Sequence, residues 1–197
     1  MENHLGKLKV TPKTGDEKFT IEGEPTGFDL RSFWSWSTSD LVSNTTRGVL
    51  AEFIVAQALG ITAGTVRQEW DAYDLETVEG IKIEVKASAY IQSWHQERLS
   101  AISFDISKSR GWDPKTNKSS PESKRSADIY VFALHAHQDK SSVDPLNLDQ
   151  WQFIVVPTEF LNHRLGEQAT ITLGSLNNLG FDPVSYPRLR IEFEHHL

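Results

Sequence analysis

The stretch WDAYDLETVEGIKIEVKA, residues 70–87, has the pattern of two short strands joined by a tight turn at Glu79 and Gly80. Glycine supplies the backbone freedom that a hairpin turn requires, and apolar residues alternate on its far side. In the second strand Ile81, Ile83 and Val85 point to one face, so Lys82, Glu84 and Lys86 point to the other. Asp74, on the preceding strand, comes opposite them across the hairpin or its bend. Two acids and one amine then converge on one surface.

Two carboxylates held close repel each other. A hard cation such as Mg2+, with Mn2+ as a substitute, relieves that repulsion and keeps positions open for water and phosphate oxygens. An adjacent lysine can orient or deprotonate an attacking water and offset charge in the transition state. Asp74 and Glu84 are therefore the expected metal ligands and Lys86 the expected catalytic amine, in an arrangement suited to hydrolysing a phosphodiester.

Asp74, nine intervening residues and then Glu84-Val85-Lys86 resemble the PD-(D/E)xK signature of the restriction-endonuclease-like nucleases, with Tyr73 where the signature has proline. Asp71 is a rival for the first acid. Asp74 is preferred because a strand running Ala72, Asp74, Glu76 keeps it on the polar face beside the turn. Upstream, residues 44–59 predict a helix with Asn44 as N-cap and Gly60 as its stop. Gly48, Val55 and Leu59 share a face of that helix, and Glu52 sits on it. An acid in an apolar stripe is costly without a partner. The resemblance implies one, since members of that superfamily often aim a helix glutamate at the metal site, which makes Glu52 a further ligand or outer acid. It also implies that Gln92, shortly after the E-x-K strand, hydrogen-bonds water or a nucleic-acid phosphate at the mouth of the site. The implied fold is α/β, a restriction-endonuclease-like core with a mixed central β-sheet flanked by helices, covering residues 44 to about 160.

The remainder of the chain sets bounds on this reading. At 197 residues with 38% hydrophobic content, one core of ordinary size is expected, organised as a flexible arm or edge hairpin over 1–27 and a single nuclease-like domain over 28–197. Without cysteine, disulfides and thiolate zinc sites are excluded. No apolar run reaches membrane-spanning length and no basic leader opens the chain, so the expectation is a cytoplasmic protein without a membrane partner. A net charge of −7 argues against coating nucleic acid by bulk charge. Local bases must then do any gripping. Residues 107–126 carry Lys115, Lys118, Lys124 and Arg125 with few apolar residues, a basic loop expected to hold a phosphate backbone; Trp112 within it either stacks on nucleic acid or pins the loop to the core.

Arg47, at the first turn of the helix, is expected to pair with Asp74 or Glu52 or to reach a phosphate. The aromatic segment 28–40, with Phe28, Phe33, Trp34 and Trp36, is expected to cap the long helix. His135 and His137 are expected to face solvent at a strand end. Strands are predicted over 101–106, 128–134 and 151–156, with weaker ones over 171–173 and 189–193, and a helix runs from Thr158, as its N-cap, to Leu165. The function this predicts is a Mg2+-dependent endonuclease acting on nucleic acid, DNA foremost. The rival reading is a non-catalytic nucleic-acid- or partner-binding module that kept the fold. Cutting both strands of a palindrome would require a symmetric homodimer, for which no segment stands out.

Overall fold

The computed structural model describes residues 8–61, 66–67, 72–113 and 118–197. A hairpin of β1 (Lys18–Ile21) and β2 (Glu24–Asp29) leads into α1 (Leu30–Thr38) and then α2 (Asn44–Leu59). The strands β3 (Leu75–Glu76), β4 (Lys82–Ala89), β5 (Ser103–Asp105), β6 (Trp112–Asp113), β7 (Lys118–Ser119), β8 (Ile129–His135) and β9 (Trp151–Pro157) follow. The chain closes with α3 (Thr158–Leu165), β10 (Thr170–Thr172), α4 (Leu173–Asn178), β11 (Val184–Ser185) and α5 (Tyr186–His195).

The centre is a five-stranded sheet in the order β11-β9-β8-β4-β3. It is mixed: β4 runs parallel to β8, while β3–β4, β8–β9 and β9–β11 are antiparallel. Every residue of β8 is buried, which is why its sequence is a nearly unbroken apolar run. Alternation along β4 sends Ile83 and Val85 to one face, into a core with Ala51, Ile54 and Val55 of α2 and Leu189 and Phe193 of α5. The opposite face, with Tyr130, Phe132 and Ile154, packs on Phe104, Leu161 and Ile171. Glu84 and Lys86 share this second face at the border between the core and solvent.

Local chemistry explains the element ends. Ser43, one residue earlier than expected, caps α2 by accepting from the Thr46 amide, because the amide oxygen of Asn44 is occupied by Arg47. Gly60 ends the helix at φ 75°, left-handed backbone that its lack of Cβ permits. Gly80 at φ 87° closes the turn between β3 and β4, donating its amide to the Thr77 carbonyl.

Four expectations are corrected. Residues 189–193 are helical, within α5, because Pro187 starts a helix there. Leu189 and Phe193, four apart, are buried, while Ile191 between them is exposed, a helical rather than a strand pattern. Thr158 is the first residue of α3 and makes no side-chain cap bond; Pro157 occupies the cap position. His135 is buried against the Trp151 ring rather than facing solvent, and burial pushes its pKa down. Segment 28–40 does not cap α2: none of α1 is buried, and Trp36 is 85% exposed.

Candidate active site

The hairpin and α2 together assemble the acids. Asp74 precedes β3 and extends its pairing, its amide donating to the Ile83 carbonyl at 3.0 Å. Its side chain then takes the place of the next ladder partner: Oδ2 accepts the Val85 amide at 2.7 Å. This anchors the carboxyl beside β4. Alternation does the rest, placing Glu84 and Lys86 on one face, with Lys86 Nζ donating to Glu84 Oε1 at 2.5 Å. From α2, Glu52 is buried and gripped by Arg67 through two bonds, Nε to Oε2 at 2.5 Å and Nη2 to Oε1 at 2.9 Å, the geometry in which arginine binds carboxylate best.

The electrostatics show that these groups feel one another. Asp74 is pushed up to about 7, first by burial and then by the Glu84 charge. The Val85 amide opposes that rise, Glu52 adds to it and Lys86 offsets part of it. Burial alone would pull Lys86 down, but Glu84, Asp74 and Asp105 outweigh it and leave its pKa raised. Lys86 is thus an ammonium at neutral pH, while Asp74 exchanges its proton near neutrality.

Three neighbours were not foreseen. Arg67 neutralises Glu52, and nothing in the sequence marks it. Asp105 of β5 faces Lys86, its own pKa held down by hydrogen bonds from Ser107 and by Lys86. Only its polar place in an alternating strand hinted at that position. Tyr130 lies beside Glu84 in the β4–β8 register, and burial together with Glu84 raises its hydroxyl pKa.

Among the described residues, no three His, Asp or Glu side chains stand ready as a metal cage. Glu52 and Glu84 are each turned to a cation. The donor set nevertheless suits a hard cation, because the half-buried Asp74 carboxyl lies in the fields of two further carboxylates, and oxygen ligands are what Mg2+ selects. Asp71, the rival first acid, lies outside the described residues.

Three residues expected to contact nucleic acid lie inside the protein. Arg47 is 4% exposed, and its guanidinium bonds to neither Asp74 nor Glu52. It donates to the Val42 carbonyl at 2.8 Å, Asn44 Oδ1 at 2.5 Å and Gln92 Oε1 at 3.3 Å. Gln92 is buried with it, its amide nitrogen donating to the Ala89 carbonyl and to Ser100 Oγ. Arg125 is 5% exposed and donates to the carbonyls of Ile106, Gly166 and Gln168 and to Asn162 Oδ1, tying the basic loop to the end of α3. All three find internal acceptors that replace water, although the Nε of Arg47 is left without one. Lys118 and Lys124 are exposed, and Lys115 lies outside the described residues. The loop folds back on itself through the β6–β7 pair and a bridge between Ser109 and Lys124.

The mixed sheet thus presents Asp74, Glu84 and Lys86 beside a carboxylate from α2. The chain belongs to the bacteriophage T4 endonuclease IV family, whose model matches residues 30–171. It is a nuclease, and the match runs from α1 to β10, across the whole acid cluster. No curated protein matches the chain.

Proposed function

We propose that the chain is a divalent-metal-dependent endonuclease of PD-(D/E)xK type that hydrolyses DNA. The observation that carries this reading is the state of Asp74: a half-buried carboxyl, fixed by the Val85 amide and raised to about 7 by partial desolvation and the Glu84 and Glu52 charges. Such crowding is destabilising by itself and is relieved by a cation. Asp74 and Glu84 would hold Mg2+ or Mn2+, with Glu52 as a third or outer acid. The bound ion would neutralise the acids and lower the pKa of a water.

The chain's own groups supply the remainder. Val85 orients Asp74, Arg67 orients Glu52, and the Lys86 ammonium offsets negative charge that builds on the phosphate oxygens as water attacks phosphorus. The P–O3′ bond then breaks and the O3′ takes a proton, leaving a 5′ phosphate. The exposed Lys118 and Lys124 would contact the DNA backbone.

Circular single- and double-stranded DNA incubated with Mg2+, with Mn2+ and with EDTA tests this. Cleavage that requires the ion and disappears in Lys86→Ala is the expected result. Binding without cleavage under every ion condition would instead identify a non-catalytic binding module.

A further inference from the structure

The arm formed by β1, β2 and α1 presents a physical difficulty. No residue from Lys18 to Ser39 is buried, yet the segment holds a paired hairpin and a helix capped by Asp29. A two-stranded hairpin is marginal in water, and so is a nine-residue helix. What the arm exposes is aromatic: the tilted rings of Phe19 and Phe28 meet at 4.8 Å, and Phe33, Trp34 and Trp36 also reach solvent. With about 150–250 Å2 on each aromatic side chain, the exposed fractions amount to on the order of 500 Å2 of apolar surface. Patches of that size mark interaction sites.

We infer that the arm docks on a second copy of this chain, against the outward face of α2. Charge rules against nucleic acid as the occupant. Asp16, Glu17, Glu22, Glu24, Asp29 and Asp40 are interspersed with and flank the aromatics along the chain, and the two bases between residues 16 and 40, Lys18 and Arg31, are already paired with Asp29 and Asp16. A phosphate backbone would be repelled there. The chain itself offers a matching surface: Val49 and Phe53, one turn apart on α2, are both exposed on the face turned away from the sheet. Reciprocal docking of two arms would bury the aromatic surface twice and exceed the ~1,000 Å2 that specific interfaces need. A two-fold axis makes such a contact self-complementary. The pairing would run through the helix that carries Glu52.

Sedimentation equilibrium of the full chain tests this without reference to cleavage. A dimer at micromolar concentration is expected. Phe33→Ser with Trp36→Ser, and separately Phe53→Ser on the acceptor face, should each weaken dimerisation at least tenfold, with unchanged circular dichroism because the arm contributes nothing to the monomer core. The chain lacks cysteine, so a mixture of Trp36→Cys and Val49→Cys proteins should form the mixed bismaleimide cross-link. A wild-type chain that stays monomeric at tens of micromolar overturns the inference, and so does a dimer that both variants leave intact. If single-stranded oligonucleotide quenches the tryptophan fluorescence of a monomer and Trp36→Ser removes that quenching, bases are the occupant and the inference fails.

Discussion

Two polar clusters lie against β4, one on either side of its midpoint, and both draw on α2. At the end of β4, Arg47 meets Gln92, Asn44 and backbone carbonyls, so a buried cation is surrounded by neutral acceptors. Toward the start, Asp74, Glu84 and Glu52 meet one another as well as Lys86 and Arg67, and Asp74 is left with its proton affinity raised. Five residues along one helix separate a scaffold from a site. A buried group whose hydrogen bonds are met by dipoles stabilises the fold, whereas like charges kept together store an interaction that a ligand can release.

The largest expected effect breaks the site and spares the scaffold. Lys86→Ala should lower the DNA cleavage rate about 10²-fold or more, the usual consequence of losing one transition-state charge, while the melting temperature and DNA binding change little. The reverse perturbation is Arg47→Ala. It leaves Gln92 Oε1 and the Val42 carbonyl without their donor and should cost about 1.5–3 kcal/mol for each charged hydrogen bond removed. A fall in urea midpoint with a preserved rate at saturating substrate would place Arg47 in the scaffold. A rate loss as large as that of Lys86→Ala would dissolve the distinction.

A pH experiment separates the clusters again. Asp74 titrates near 3.8 when unfolded and near 7 when folded without metal, so the folded state binds the proton more tightly. Its contribution is fully present below about pH 4 and is lost as pH rises to about 7. In EDTA, wild-type stability should therefore drop across that window relative to Asp74→Asn, by at most about 4 kcal/mol at about 1.4 kcal/mol per pKa unit. Millimolar Mg2+ should recover stability at neutral pH in the wild type alone, through preferential binding to the folded state. Parallel pH profiles for the two proteins would remove Asp74 from the cluster.

The smallest effect concerns the loop. Lys118→Ser with Lys124→Ser should flatten the log–log salt dependence of DNA binding by about 0.9 for each phosphate no longer neutralised, and leave the melting curve alone. Arg125→Ser should do the opposite, lowering stability without changing the salt slope beyond what unfolding explains.

Much of the architecture could be read from residue order because it rests on short-range periodicity. The alternation of Ile83 and Val85 against Glu84 and Lys86 puts acid and lysine on one face in any sheet. The span of α2 and its glycine stop match those predicted, with the cap one residue earlier at Ser43, since such end signals act within a turn. Where short patterns are ambiguous, as in residues 189–193, the helix emerges only when Leu189 and Phe193 find the sheet.

Partner choice is what residue order leaves open. Arg47, Arg67 and Arg125 are the same side chain in similar polar company, yet one supports Gln92, one holds Glu52 and one ties the basic loop to α3. These three acceptors lie 45, 15 and 41 residues away along the chain, and a charge is drawn inward only where acceptors converge in three dimensions. Periodicity along the chain determined the acid–lysine face; the tertiary structure alone decided which charges remain available at it, because desolvation and pairing depend on neighbours that sequence distance does not encode.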